Sequence, residues 1–195
     1  MLVENINFSD KIISRDDFAI IRNFSTGNKY PEAGLADYLK TDAIDDLYNG
    51  NGVTHLVVDE KRNAVVGYYT ICASALPYYY RTKEDDNKYY QVLCSIPAVE
   101  IRMFAIDIFY QDVFIDNMPI SAIVFRHIIS EIYNLSESTL GVKAIYLHTL
   151  SSAKSFYQKN GMKECEEYFA PFASEDDDLA VMYALIKECN IVYEE

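Results

Sequence analysis

The feature that most constrains this chain is an amphipathic stretch over residues 119–135, where Ile120, Val124, Ile128 and Ile132 recur at four-residue intervals. On a helix that spacing makes one apolar stripe, which has to be buried against another element. Two apolar runs rich in β-branched residues, 99–109 and 143–149, bracket it. A strand, a helix and a strand in that order predict a mixed, partly parallel sheet covered by helices.

The remaining segments fit around this unit. Residues 16–24 predict a short first helix, and 32–48 a second helical region with Leu35, Leu39, Ile44 and Leu47 on its apolar face, stopped by Asn49-Gly50-Asn51-Gly52. A hairpin is expected from 53–59 and 64–75 about the polar turn 60–63. Residues 77–97, with Tyr78, Tyr79, Tyr80, Tyr89 and Tyr90 and the acidic knot Glu84-Asp85-Asp86, read as a long connection between prolines. Beyond the long helix come a short helix at 152–160 ended by Gly161, a strand near 163–169 and a last strand over 179–187. No repeat, low-complexity tract or linker interrupts the 195 residues, so 1–195 are read as a single α/β domain of the mixed α+β type.

Composition excludes several function classes. No run approaches the roughly 18 apolar residues of a membrane helix, and the opening segment lacks the pattern of a secretory leader, so a cytoplasmic protein with no membrane partner is expected. Cys72, Cys94, Cys165 and Cys189 form no CxxC pair, and His55, His127 and His148 are scattered singly. These patterns predict reduced, mostly buried thiols and no metal site. Seventeen basic against thirty acidic side chains leave a net charge of −13, which disfavours nucleic acid and favours small cations or basic proteins. The acid gathers at 84–86, 164–167 and 175–178, as a solvated face or as a cation-attracting rim.

Two segments carry chemistry. Phe104-Ala105-Ile106-Asp107-Ile108-Phe109-Tyr110-Gln111 leads into the long helix, and Ser152-Ala153-Lys154-Ser155-Phe156-Tyr157-Gln158-Lys159-Asn160-Gly161-Met162 contains a Phe-Tyr-x-x-x-Gly box. Both resemble the GNAT N-acetyltransferases over about residues 30 to 187, with Val66-Gly67-Tyr68-Tyr69, Ala73-Ser74 and Ile96-Pro97-Ala98-Val99 closest to the toxin-type branch. The resemblance implies a mostly antiparallel sheet of six to seven strands flanked by helices on both faces. It also implies a V-shaped opening between the strands at 99–109 and 143–149, where the pantetheine of acetyl-CoA lies against free backbone groups of Phe104, Ala105 and Ile106.

By the same resemblance the pyrophosphate rests on the loop Gln111-Asp112-Val113-Phe114-Ile115-Asp116-Asn117, where unpaired amides and a helix dipole favour an anion. The family pattern has glycine or a small residue where this chain has Phe114 and Asp116. Phe114 is expected to resist a positive φ, and Asp116 to cap the following helix with its own carboxylate. Ser152 and Ser155 are expected to contact pantetheine or phosphate, with N-capping the alternative for Ser152, and Phe156 is counted with the cofactor contacts.

Tyr157 is the expected acid, because a phenol near the sulfur can hydrogen-bond or protonate the expelled thiolate; the alternative is an edge-of-core tyrosine. Glu100 is the candidate base, against a plain solvent-facing glutamate, and the Ile106 amide is the candidate oxyanion donor. His148 reads as structural. Tyr68, Tyr69, Tyr78, Tyr79 and Tyr80 line the acceptor side or pack the core.

The function implied is acetyl transfer from acetyl-CoA to a primary amine, on a small cationic amine or a basic protein, by direct attack. The alternative is a GNAT-fold binding or regulatory domain that has lost its cofactor. A homodimer is compatible with either.

Overall fold

The computed structural model describes residues 7–27, 32–83, 89–165 and 178–186. Along the chain run β1 (Phe8–Ile12), a 3-10 turn (Arg15–Asp17), α1 (Phe18–Ile21), α2 (Glu32–Thr41), α3 (Ala43–Asn49), β2 (Val53–Asp59), β3 (Ala64–Lys83) and β4 (Tyr89–Ile106). Then come the two-residue strands β5 (Phe114–Ile115) and β6 (Met118–Pro119), α4 (Ile120–Ser138), β7 (Ala144–Leu150), α5 (Lys154–Lys159), β8 (Lys163–Glu164) and β9 (Leu179–Leu185). A seven-stranded mixed sheet has the order β1-β2-β3-β4-β7-β9-β8, and β5 and β6 pair separately. The β4–β7 pairing is parallel, through Ala98↔Ala144, Val99↔Ile145 and Glu100↔Tyr146, while β1–β2, β2–β3, β7–β9 and β8–β9 are antiparallel. The crossover expected from the strand, helix and strand pattern is thus present, and helices flank the sheet.

Three expectations need correction. The opening segment contains a strand, β1, whose Ser9, Asp10 and Lys11 hid it because an edge strand has no need of alternation on an exposed face. The region 32–48 is two helices. Residues 77–97 are not a connection: β3 runs on to Lys83 and β4 starts at Tyr89. Tyrosine-rich pleated runs have high strand propensity, and Pro77 and Pro97 are tolerated where no ladder donor is required. Residues 84–88 lie outside the described residues, as do 166–177, which hold most of the strand expected at 163–169.

The chain forms two compact units, Met1–Cys72 with Ile101–Ser130, and Ala73–Glu100 with Glu131–Glu195. They are not successive segments, because β3, β4 and α4 each contribute to both. The first unit buries Phe24, Leu39, Leu56 and Tyr68 at 2% exposure or less, and the Tyr68 hydroxyl donates to Leu35 O at 2.7 Å. Ile120, Val124 and Ile128 of α4 are buried as their spacing requires. The core of the second unit comprises Leu76, Ile96, Ala98, Ala144, Tyr146 and Tyr183, with Tyr78 packed against it. Tyr68 and Tyr69 are fully buried, so the core-packing alternative holds for both.

Edge strand β1 is tied to the first unit through one carboxylate. Asp10 accepts hydrogen bonds from His55 Nδ1 at 2.9 Å, Tyr69 Oη at 2.6 Å and His127 Nε2 at 2.7 Å. Burial alone would raise its carboxyl, but these bonds outweigh burial and hold it below the usual carboxylate range. A carboxyl depressed by folding adds stability at pH values above its unfolded value of about 3.9, and that stability is lost as pH falls through the lower folded value. Asp10→Asn is therefore expected to flatten the fall in Tm between about pH 5 and pH 3. An unaltered fall would remove Asp10 from this role.

Candidate active site

In the first unit the site is built on the end of β4. Asp107 N donates to Val66 O of β3 at 2.9 Å, so alternate residues of β4 direct their backbone groups toward β3. Ala105 is one of them: a Cβ on Gly67 would lie 2.7 Å from its carbonyl oxygen. The Ala105 carbonyl thus lies against β3. Phe104 and Ile106, one residue out of phase, direct N–H and C=O to the opposite edge. The Ile106 carbonyl accepts from Gln111 Nε2 at 3.1 Å.

Asp107 organises the chain beyond the strand. Its carboxylate accepts from Ser25 N at 2.8 Å and Phe109 N at 2.9 Å, while its carbonyl accepts from Tyr110 N at 2.8 Å. The buried Tyr110 donates to buried Asp59 at 3.0 Å, and burial is the main cause that raises its phenol above the ordinary value.

The expected phosphate loop takes an unforeseen form. Asp112 is exposed and Val113 buried, and Phe114↔Pro119 and Ile115↔Met118 pair as a small hairpin. Asp116 at φ +49° and Asn117 at φ +63° make its two-residue turn. Asp and Asn tolerate this left-handed conformation, and two consecutive positive φ values suit the twist of a hairpin. Two expectations fall here. Asp116 does not cap α4, whose first helical residue is Ile120, and Phe114 is not asked for a positive φ. At the start of α4 the Ile120 amide donates to Val113 O at 3.0 Å and Pro119 has none, leaving the amides of Ser121 and Ala122 without intrahelical acceptors.

In the second unit β7 leads through a 3-10 turn (Ser151–Ala153) into α5. Ser151 secures the turn, its amide and hydroxyl donating to Asp178 O at 2.8 and 3.0 Å. Ser152 is not an N-cap, since Leu150 and Ala153 hold the cap positions; Ser152 and Ser155 are both exposed. The Phe-Tyr-x-x-x-Gly box has a mechanical explanation. Met162 N donates to Tyr157 O at 3.1 Å and Gly161 N to Gln158 O at 3.1 Å, the paired bonds of a Schellman motif. The residue between them must be left-handed, and Gly161 has φ +91°. Gly161→Ala is expected to cost about 1–2 kcal/mol, read as a lower midpoint in urea; no change would contradict this account.

The helix so terminated holds Tyr157, 9% exposed, with its ring edge-on to half-buried Phe156 at 5.1 Å. Burial pushes its phenol up to about 12, with partial offset by a hydrogen bond from Thr149, so the proton stays on the oxygen at neutral pH. Glu100 Oε2 accepts from the Tyr146 hydroxyl at 3.2 Å, and that hydroxyl lies 2.6 Å from Ser74 Oγ. His148 is exposed, its ring 6.1 Å from that of Tyr146. The sequence reading missed Tyr146 and Thr149, whose only signal was a polar side chain in an otherwise apolar strand.

Cys72, Cys94 and Cys165 are in no disulfide and are half-buried rather than mostly buried, and Cys189 lies outside the described residues. Among the described residues no group of three His, Cys, Asp or Glu side chains could hold a metal ion, and no helix is long and apolar enough to cross a membrane.

A mixed sheet with one parallel crossover, flanking helices and a Schellman-capped Phe-Tyr-x-x-x-Gly helix defines the GNAT fold, in the form found in acetyltransferase toxins. A bacterial toxin structure superimposes with a TM-score of 0.69 at 15% identity, covering 93% of this chain and 92% of that one. The AtaT toxin, as a tyrosine-to-phenylalanine variant, matches with TM-score 0.64 at 19% identity, covering 93% and 91%. KacT, also a tyrosine-to-phenylalanine variant, matches with TM-score 0.63 at 16% identity, covering 92% and 95%. AtaT has further been solved with acetyl-CoA and the C-terminus of the antitoxin AtaR, and with acetyl-methionyl-tRNAfMet, and KacTA with DNA. No protein-family model matches the sequence, and no curated protein matches it.

Proposed function

We propose that this chain is an N-acetyltransferase that moves an acetyl group from acetyl-CoA to a primary amine by direct attack. The observation that carries the reading is Tyr157, a buried, protonated phenol held by a capped helix in a fold shared with AtaT and KacT. The edge groups of Phe104 and Ile106 would hold the pantetheine, and the amides of Ser121 and Ala122 would face the pyrophosphate, with Gln111 bracing the turn between. Exposed Ser152 and Ser155, beside Phe156, are available to the cofactor arm.

In this mechanism the amine lone pair attacks the thioester carbonyl, whose developing negative charge meets the Ile106 amide. The C–S bond breaks and charge builds on sulfur. A phenol near 12 facing a thiol of ordinary pKa about 8.5 would transfer its proton uphill by roughly 5 kcal/mol. Tyr157 therefore acts by hydrogen-bonding the leaving sulfur, and the expelled thiolate takes the second proton, which the attacking nitrogen sheds as the amide forms. Glu100 takes the proton that the acceptor ammonium must lose.

The net charge favours a small cationic amine or a basic protein as acceptor, while the AtaT complex with acetyl-methionyl-tRNAfMet makes an aminoacyl-tRNA the informative contrast. Transfer of labelled acetyl from acetyl-CoA to spermidine, a lysine-rich peptide and methionyl-tRNA tests the reading. Label on one of the three supports it, and label on none opposes it. A second reading, a binding or regulatory domain without cofactor, is favoured by the 114–119 hairpin, which stands where the family has small residues. Labelled transfer to any acceptor would exclude it.

A further inference from the structure

The second unit contains a chain of hydroxyls that the mechanism above does not use. Tyr146 is 3% exposed, lies 46 positions from Glu100 and 72 from Ser74, and touches both through one oxygen. A phenol has a single proton, which it donates to Glu100 Oε2 at 3.2 Å. The 2.6 Å contact with Ser74 must then be a bond donated by Ser74 Oγ. The array runs from half-buried Ser74 through Tyr146 to the carboxylate, every donor pointing the same way. A buried tyrosine needs one partner for its hydroxyl, and this one lies in a two-link wire ending on the candidate base.

We infer that Tyr146 and Ser74 are a proton relay that returns Glu100 to its ionised form, an inference that rests on reading Glu100 as the acetyltransferase base. The acceptor ammonium gives one proton to the Glu100 carboxylate and becomes the free amine. Once Glu100 is protonated the hydroxyls turn, Tyr146 now pointing at Ser74 and Ser74 at water; Glu100 then donates its proton to Tyr146 Oη as Tyr146 passes its own to Ser74 Oγ, and Ser74 passes its own to water. Each hydroxyl ends neutral, the carboxylate is restored, and no oxidant or metal is required. The other titratable groups about Tyr146 are Tyr183 opposite on β9, His148 two residues along β7, and Tyr78 and Cys165 in the same apolar cluster. His148 is exposed and titrates beside the array without being a link of the relay, so His148→Gln is the control.

The test is the pH profile of kcat/KM for the acceptor that the labelled-acetyl assay identifies, with saturating acetyl-CoA. The unaltered chain and His148→Gln are expected to give a flat profile from about pH 7 to 8.5, because the enzyme deprotonates the bound ammonium itself. Tyr146→Phe keeps the ring and removes both bonds. It is expected to be about 10²-fold slower at pH 7 and to rise about tenfold per pH unit, with the KM for acetyl-CoA unchanged, since the amine must then arrive deprotonated from solution. Ser74→Ala, which cuts the outer link alone, moves the same way by a smaller factor and serves if Tyr146→Phe does not fold. A flat profile in both variants overturns the relay and leaves the acetyltransferase reading standing. No transfer by the unaltered chain to spermidine, the peptide or methionyl-tRNA overturns both.

Discussion

Tyr157→Phe is expected to lower kcat for acetyl transfer by about 10²–10³-fold while changing the Kd for acetyl-CoA by less than about threefold. Phenylalanine keeps the ring that packs edge-on to Phe156 and leaves the Schellman bond from Met162 in place, so what is lost is the hydroxyl bonded by Thr149. That hydroxyl matters only when negative charge reaches the sulfur. A transition-state interaction appears in kcat, whereas uniform binding would appear in KM. Stability should fall by no more than about 1.5 kcal/mol, the range of one hydrogen bond, and thermal melting checks this. A rate unchanged by the substitution would make Tyr157 an edge-of-core tyrosine.

Gly67→Val has the largest expected effect on the fold. A Cβ at this position would meet Ala105 O and Ile106 Cδ1, both at 2.7 Å, with Ile106 Cα at 3.5 Å. The first of these is backbone and cannot rotate away, so β4 must move off β3 or the chain must unfold. A cost of about 3 kcal/mol or more is expected, seen as a Tm lower by roughly 6–12 °C for a chain of this length. The same displacement shifts Phe104 and Ile106, so acetyl-CoA affinity should fall with stability. Gly141→Ala is the control, because nothing lies within 4 Å of a Cβ there. A Gly67→Val protein with unchanged melting would show that β3 and β4 do not approach as described.

Much of the fold was legible because its signals are local. The four-residue recurrence at Ile120, Val124, Ile128 and Ile132 is enough to specify α4 and its buried stripe. Gly50, at φ +75°, ends α3 where the Asn-Gly run predicted a stop. The hairpin of β2 and β3 was visible because its turn at 60–63 separates two apolar runs, with Asn63 taking a positive φ.

Other parts were misread for physical reasons. Pro77 and Pro97 looked like strand breakers, yet proline forbids only the donor side of a ladder. Asp116-Asn117 fits a helix cap and a two-residue hairpin turn equally well. The tie is broken by Phe114-Ile115 and Met118-Pro119 pairing across it, a matter of register that composition does not encode. The site was legible where a motif dictates backbone geometry, as in the Phe-Tyr-x-x-x-Gly box. Ser74, Glu100 and Tyr146 meet only because three strands bring them together, and no spacing within the sequence announces that.

We propose that the end of β4 and the start of α4 accept the pantetheine and pyrophosphate of acetyl-CoA despite the hairpin in between. Calorimetric titration of the full chain with acetyl-CoA measures this directly. Binding in the micromolar range is expected, with a rise in Tm at millimolar cofactor. Absence of both heat and thermal shift at that concentration would contradict it.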